Sequence, residues 1–250
     1  MRPPVPGIGT GVSLMVLGLA VAAASAVAGE GRYGKTVEMF EFAADRPAMR
    51  TAVYDPAAGR AAKPRPLILA LHYGGEVTPG IGAEFVELLV LPALKDLGAV
   101  ILAPDCPGRG WTDPVSEGAV LALVAWAKST MAVDERRVAV TGYSMGAIGA
   151  YRLAARHPGL FRAAIPVSGL PAPEDRGSAG NTPLYIIHSD SDEIFPLEEA
   201  RPVFDALKRE GQDVQVLIVP QLDHYQTAAF VPFLKKSVRW LKRAWGRGQE

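Results

Sequence analysis

After residue 65 the chain carries six almost unbroken apolar runs that alternate with stretches of helical spacing, and that alternation restricts its fold more than any other feature. The runs are "PLILALHYGG", "AVILAPDCPG", "RRVAVTGYS", "FRAAIPVSG", "PLYIIHSDSD" and "VQVLIVPQLDH". Strands apolar at every position, not at every second one, are buried on both faces, which requires a parallel sheet covered by helices on each side. The expected fold is therefore α/β, a doubly wound and mostly parallel sheet. Ahead of it, Val37 to Phe42 and Met49 to Tyr54 alternate partially about a polar turn and predict an antiparallel hairpin. "AAGRAAKPRP" reads as a linker.

Helices are expected over "EFVELLVLPALKDLG", with Pro92 as a possible kink and Gly98 as a stop, and over Ser116 to Met131. Others follow in "GAIGAYRLAARHPG", in "PLEEARPVFDALKREG" and near Phe230 to Trp245. The insertion "LPAPEDRGSAGNTP", residues 170 to 183, is too short for a substantial lid domain.

The N-terminus carries Arg2, an apolar stretch from about Gly11 to Ala24 and the small-residue pattern Ala26-Val27-Ala28. This is the layout of a secretory signal peptide over 1–28, with 29–250 as a single catalytic domain and a secreted or periplasmic destination. Retention as an N-terminal anchor is the alternative, although the apolar run is shorter than a comfortable membrane span of ~20 residues. After cleavage no stable membrane association is expected. Lys and Arg number 26 against 26 Asp and Glu, so the net field favours neither nucleic acid nor an anionic surface. With Cys106 the one cysteine, no intramolecular disulfide is possible. It reads as a small residue at a strand end.

In "VAVTGYSMGAIGAYRLAARHPG", Ser144 lies between Gly142 and Gly146 where a β-branched strand gives way to a helix. A serine on such a sharp turn presents Oγ at the end of the sheet, and flanking glycines leave it uncrowded. The Met145 amide then stands at a helix N-terminus, able to donate to a developing oxyanion. Serine needs a base, for which histidine has the suitable pKa. Four are available: His72, His157, His188 and His224.

On these residues the chain resembles the α/β-hydrolase superfamily, in particular its cap-free esterase branch. That branch includes enzymes of dienelactone hydrolase, carboxylesterase, feruloyl esterase and polyester depolymerase type, and prolyl-oligopeptidase-type catalytic domains. The resemblance runs from about Pro66 to Trp245 and is most specific in "VDERRVAVTGYSMGAIGAYRLAARHPGLFRAAIPVSG", "HSDSDEIFP" and "QLDHYQ". It implies that His224 is the base and His188 is structural. His72 would begin the oxyanion turn, and His157 reads as a cap or surface residue. Setting Phe195-Pro196 against the family's pair after the acid implies Asp192 as the acid, with Asp190 as rival. Glu193 reads as solvated, and the Asp223 side chain as pointing away. The order Ser144, Asp192, His224 is that of α/β-hydrolases.

A second oxyanion donor is implied in His72-Tyr73-Gly74-Gly75, from the amide of Gly74 or, if the loop shifts by one, of Tyr73. Ala147 stands where relatives often have a third glycine. Tyr73, Trp111, Tyr143 and Tyr225 lie near the expected catalytic end and form either an aromatic substrate pocket or ordinary packing. No zinc pattern, calcium loop or phosphate loop is readable, so no metal or cofactor is expected. The implied activity is hydrolysis of carboxylic esters through an acyl-enzyme on Ser144. A small-molecule or oligomeric ester would be the substrate: an aryl ester, a short acyl ester on a polysaccharide, or a polyester. A prolyl-oligopeptidase-type peptidase and a non-catalytic binding module on the same scaffold are the alternatives.

Overall fold

The near-continuous apolar runs pair with one another, because strands with no polar face can be buried only inside a sheet. A computed structural model of the protein describes residues 33–43, 46, 48–56, 63–176 and 182–246. The proposed signal peptide and much of the linker at 57–62 lie outside the described residues. Eight strands form one sheet in the order β1-β2-β4-β3-β5-β6-β7-β8. They are β1 (Gly34–Phe40), β2 (Met49–Asp55), β3 (Arg65–Leu71), β4 (Val100–Pro104), β5 (Val133–Tyr143), β6 (Ala163–Val167), β7 (Leu184–Ser189) and β8 (Val214–Val219). β1 pairs with β2, and β2 with β4, in antiparallel register; all other pairs are parallel.

Among the described residues six α-helices cover the sheet: α1 (Ile81–Phe85), α2 (Leu91–Leu94), α3 (Pro114–Thr130), α4 (Met145–Arg156), α5 (Leu197–Arg209) and α6 (Val231–Gly246). The period-2 geometry of β3 divides the core. Ile68 and Ala70 pack with Phe85, Leu89 and Leu94 and with Trp240 and Leu241 of α6. Leu67, Leu69 and Leu71 point the other way, toward Leu123 of α3, Leu153 of α4 and Phe204 of α5. Each such side chain contributes about 1.5–3 kcal/mol by leaving water.

Two local expectations are adjusted. Pro92 does not break the run from Ile81 to Leu97; a π-helical turn, Val86–Val90, precedes α2 and takes up the missing amide. α3 begins at Pro114, two residues before the expected start, because Asp113 caps it by accepting the Val115 N–H at 2.9 Å and proline suits the first helical position.

The fold places its open end by chain order. From β3 the chain moves to β4 on one side, and then crosses back to β5 on the other. The loops after β3 and β5 therefore diverge at a topological switch point, where a crevice forms at the strand C-termini. Leu71 and Gly142 are register partners there, so the His72 loop and the Ser144 turn emerge side by side. The start of the 170–183 insertion is tied down by a buried ion network. Arg152 of α4 donates from Nε to Asp175 Oδ2 at 2.9 Å and from Nη1 to the Thr112 carbonyl at 2.8 Å, while Arg156 donates to Asp175 Oδ1 at 2.9 Å.

α4 lies against β3 with backbone on backbone. A Cβ on Gly146 would stand 1.9 Å from the Leu71 carbonyl oxygen, whereas one on the exposed Gly118 of α3 would meet nothing within 4 Å. Gly146→Ala is expected to destabilise the protein by about 1–3 kcal/mol through forced separation of helix and sheet. Gly118→Ala should stabilise by roughly 0.5–1 kcal/mol through helix propensity. Urea unfolding midpoints of the two variants, moving in opposite directions from wild type, check this.

Candidate active site

Ser144 stands between β5 and α4 with φ 54° and ψ −116°, a left-sided conformation that a non-glycine residue adopts only when its surroundings impose it. They do so here. The Ser144 N–H donates to the Val167 carbonyl at 3.0 Å, and its own carbonyl accepts the Ala147 N–H at 2.9 Å. A Cβ on Gly142 would fall 2.2 Å from the Gly146 carbonyl oxygen, so the turn is tight enough to exclude any side chain there. Ala147 is fully buried, and its methyl is opposed by Gly169, on which a Cβ would come within 2.8 Å. The small residue missing from α4 is supplied by the neighbouring loop.

His224 follows β8 and is only 6% exposed. Its Nε2 is 2.9 Å from Ser144 Oγ, and its Nδ1 is 3.0 Å from both Asp192 carboxylate oxygens. A carboxylate only accepts, so Nδ1 carries the hydrogen and Nε2 offers its lone pair to the serine hydroxyl. Asp192 follows β7, and its Oδ1 also accepts the amides of Ile194 at 3.0 Å and Phe195 at 2.9 Å. Burial alone would raise its pKa. The hydrogen bonds from His224 and Phe195 outweigh burial and hold the carboxyl below its usual range. The expected trio is brought together in space, and the rival Asp190 instead accepts the Gln221 N–H at 2.8 Å.

The other histidines have different surroundings. His72 is fully buried, donating from Nδ1 to the Tyr73 carbonyl at 2.7 Å and accepting the Cys106 N–H at 3.1 Å. Burial lowers its pKa, keeping it neutral. His188 donates from Nε2 to the Phe195 carbonyl at 2.8 Å, also neutral by burial. His157 lies 2.7 Å from Glu117 at the end of α4. Cys106 is buried, which pushes its thiol pKa up and leaves it unreactive.

Because the Tyr73 carbonyl turns in toward His72, the Gly74 amide of the same trans peptide faces the opposite way. Gly74 borders Met145, to whose Cβ a Cβ on Gly74 would approach 3.5 Å. Met145 opens α4, where its amide has no preceding turn to bond. Gly74 and Ser144, the residue before Met145, both line one open cleft of about 1030 Å³.

Of the aromatic residues expected at this end, Tyr73, Tyr143 and Tyr225 line the cleft and Trp111 does not. Trp111 is 2% exposed, because its ring packs edge-on against His72 at 5.0 Å and its Nε1 donates to the His72 carbonyl at 2.8 Å. It supports the loop from beneath. Tyr143 is almost wholly buried, and its hydroxyl donates to the His224 carbonyl at 2.8 Å. Tyr225 is 76% exposed at the rim. The Tyr73 hydroxyl donates to Glu84 at 3.0 Å, and burial together with that carboxylate pushes its pKa up to about 12. Leu88 and Ile194, neither anticipated from sequence, complete an apolar rim. Glu193, read as solvated, accepts the His224 N–H at 2.9 Å. Among the described residues, no group of three or more His, Cys, Asp or Glu side chains is arranged to hold a metal ion.

Parts of the chain are similar to known proteins. Residues 111–232 match the dienelactone hydrolase family. Cutinase 2 of Thermobifida cellulosilytica is 36% identical over 118 residues, covering 44% of this chain and 42% of the cutinase. Feruloyl esterase C of Emericella nidulans is 29% identical over 151 residues, covering 58% of this chain and 53% of the esterase. The chain thus spans about half the length of these curated relatives. Among solved structures, an S-formylglutathione hydrolase from Agrobacterium tumefaciens superposes with a TM-score of 0.68 at 18% identity, over 91% of this chain and 99% of that one. Sheet order, the strained serine turn and the likeness to solved structures together give the chain an α/β-hydrolase fold, and residues 111–232 are similar to the dienelactone hydrolase family.

Proposed function

We propose that the protein is a secreted serine hydrolase that cleaves carboxylic esters through an acyl-enzyme on Ser144. The observation that carries this reading is the 2.9 Å approach of His224 Nε2 to Ser144 Oγ while Nδ1 is held by Asp192. In the reaction Ser144 Oγ attacks the ester carbonyl as His224 takes its proton. Asp192 stabilises the imidazolium, and the amides of Met145 and Gly74 receive the oxyanion. His224 then protonates the leaving alcohol, and a water activated by the same imidazole releases the acid. No cofactor enters these steps. The signal-peptide pattern of residues 1–28 supports export. The esterase relatives support the choice of ester over amide.

The cleft supports a substrate class. Its lining combines Tyr73, Leu88, Ile194, Leu222, Tyr225 and several small or amide residues, with no Lys, Arg, Asp or Glu among them. A substrate carboxylate entering there would lose water without gaining a cation. Neutral esters of apolar or aromatic character suit it.

Reaction with a fluorophosphonate, followed by mass spectrometry, is expected to label Ser144 in the wild type and to fail in folded Ser144→Ala and His224→Ala. Ester turnover should fall by on the order of 10³–10⁶ in each variant. Absence of label on the folded wild type would overturn the catalytic reading and favour a binding module.

Matched substrates test the cleft. The kcat/KM for p-nitrophenyl butyrate should exceed that for the carboxylate-bearing p-nitrophenyl hemisuccinate by at least about tenfold, as follows from some 1.4 kcal/mol of uncompensated desolvation. Equal values would remove the argument for neutral substrates.

The depressed pKa of Asp192 gives a pH dependence with a definite sign. Its ionised form stabilises the fold fully above the unfolded Asp value of about 4, and that contribution is lost as pH falls through the lower folded value. In urea titrations, the advantage of wild type over Asp192→Asn should therefore be constant from neutral pH to about pH 5 and shrink below pH 4.

A further inference from the structure

The segment "SDSDE", residues 189–193, meets the loop that carries His224 at more points than a general base needs. Ser189 Oγ donates to the Leu222 carbonyl at 2.6 Å and accepts the Leu222 N–H at 3.2 Å. Asp190 accepts the Gln221 N–H at 2.8 Å, at a residue with φ 60°. Asp192 takes the ring of His224 and Glu193 takes its main chain, with Oε2 2.9 Å from the amide nitrogen. On the far side of the same residue, the Tyr143 hydroxyl holds the His224 carbonyl at 2.8 Å. Both peptide groups flanking the imidazole are thus bonded to side chains from other elements.

We infer that Glu193 is a positioning residue for His224, acting through the His224 backbone amide and not through its charge. The inference rests on the reading of Ser144, His224 and Asp192 as a catalytic trio. The ring must meet a hydroxyl on one loop and a carboxylate on another at once, and displacement by about 1 Å can cost on the order of 100-fold in rate. His224 leads directly into the 76% exposed Tyr225, where the chain turns out to solvent. Glu193 is itself exposed, and its carboxylate makes no other hydrogen bond among the described residues. A role in general stability does not account for it, and a solvated side chain would have no reason to turn back onto a loop residue.

Three substitutions separate reach from charge. Glu193→Gln keeps an acceptor at the same distance without the charge. Glu193→Asp keeps the charge but withdraws it by one carbon–carbon bond, about 1.5 Å. Glu193→Ala removes both. The expected result, with p-nitrophenyl butyrate, is kcat for Gln within about threefold of wild type and kcat for Asp and Ala lowered by about tenfold, the size of one lost hydrogen bond. KM should move little in all three. Hydrogen exchange of the His224 amide gives a second readout that needs no turnover: faster in Asp and Ala, unchanged in Gln. If Asp retains activity while Gln falls with Ala, the charge matters and the positioning role is wrong. If Ala keeps wild-type kcat and wild-type exchange, the contact is idle. A wild type that neither hydrolyses the ester nor takes up fluorophosphonate refutes the catalytic reading instead, and the exchange order still decides whether Glu193 holds the amide.

Discussion

The first turn of α4 rests on the end of β3 with no side chain between them, and the geometry of the site depends on that contact. Gly146 faces the Leu71 carbonyl so closely that a methyl group would overlap it. The residue after Leu71 is His72, whose ring bonds the Tyr73 carbonyl and the Cys106 amide and whose own carbonyl holds Trp111. Helix approach and loop conformation are therefore one packing arrangement. Separating α4 from β3 by the width of a methyl group would move the Met145 amide away from the Gly74 amide, and these are the two proposed oxyanion donors.

Three of the four histidines are buried, and burial alone does not distinguish a base from a structural ring. Partners do. His72 has both nitrogens bonded to the main chain, so its ring can neither accept nor deliver a proton without breaking the loop. His188 spends its N–H on a carbonyl and leaves Nδ1 enclosed with no partner. His224 has a carboxylate on one nitrogen and a hydroxyl on the other, so gaining a proton forms an ion pair in place and costs little reorganisation.

Much of this was legible in the sequence because it follows from residue type and spacing. Apolar runs such as "PLILALHYGG" announced buried strands, and Gly142 and Gly146 around Ser144 announced a turn that tolerates no side chain. Asp192 was legible only through the resemblance, by setting Phe195-Pro196 against the family's pair after the acid, since composition does not separate it from Asp190. Less was visible where main-chain groups are the partners. The role of Glu193 depends on where the His224 amide points, and that of Tyr143 on where the His224 carbonyl points; neither direction is written in side-chain chemistry. Trp111 misled for a related reason. An indole near a loop suits a substrate pocket or a packing site equally well, and the choice was made by the His72 carbonyl, which accepts its N–H. The density of carboxylates and serines in "SDSDE" was the one available sign that this loop does more than supply an acid.

Those carboxylates also explain how the site combines a neutral mouth with a charged interior. Asp190, Asp192 and Glu193 all turn toward amides or the imidazole, and Glu84 takes the Tyr73 hydroxyl. None of the four lines the cleft. In the proposed reaction the Asp192 charge lies behind His224, where it favours the imidazolium, while the substrate side of Ser144 is left to the dipoles of α4 and the Gly74 loop. An oxyanion forming there meets amide hydrogens without a carboxylate facing it across the cleft. In the proposed reaction a carboxylate turned outward would oppose the developing negative oxygen, so the inward bonds of these side chains serve the electrostatics of the cleft as well as its geometry.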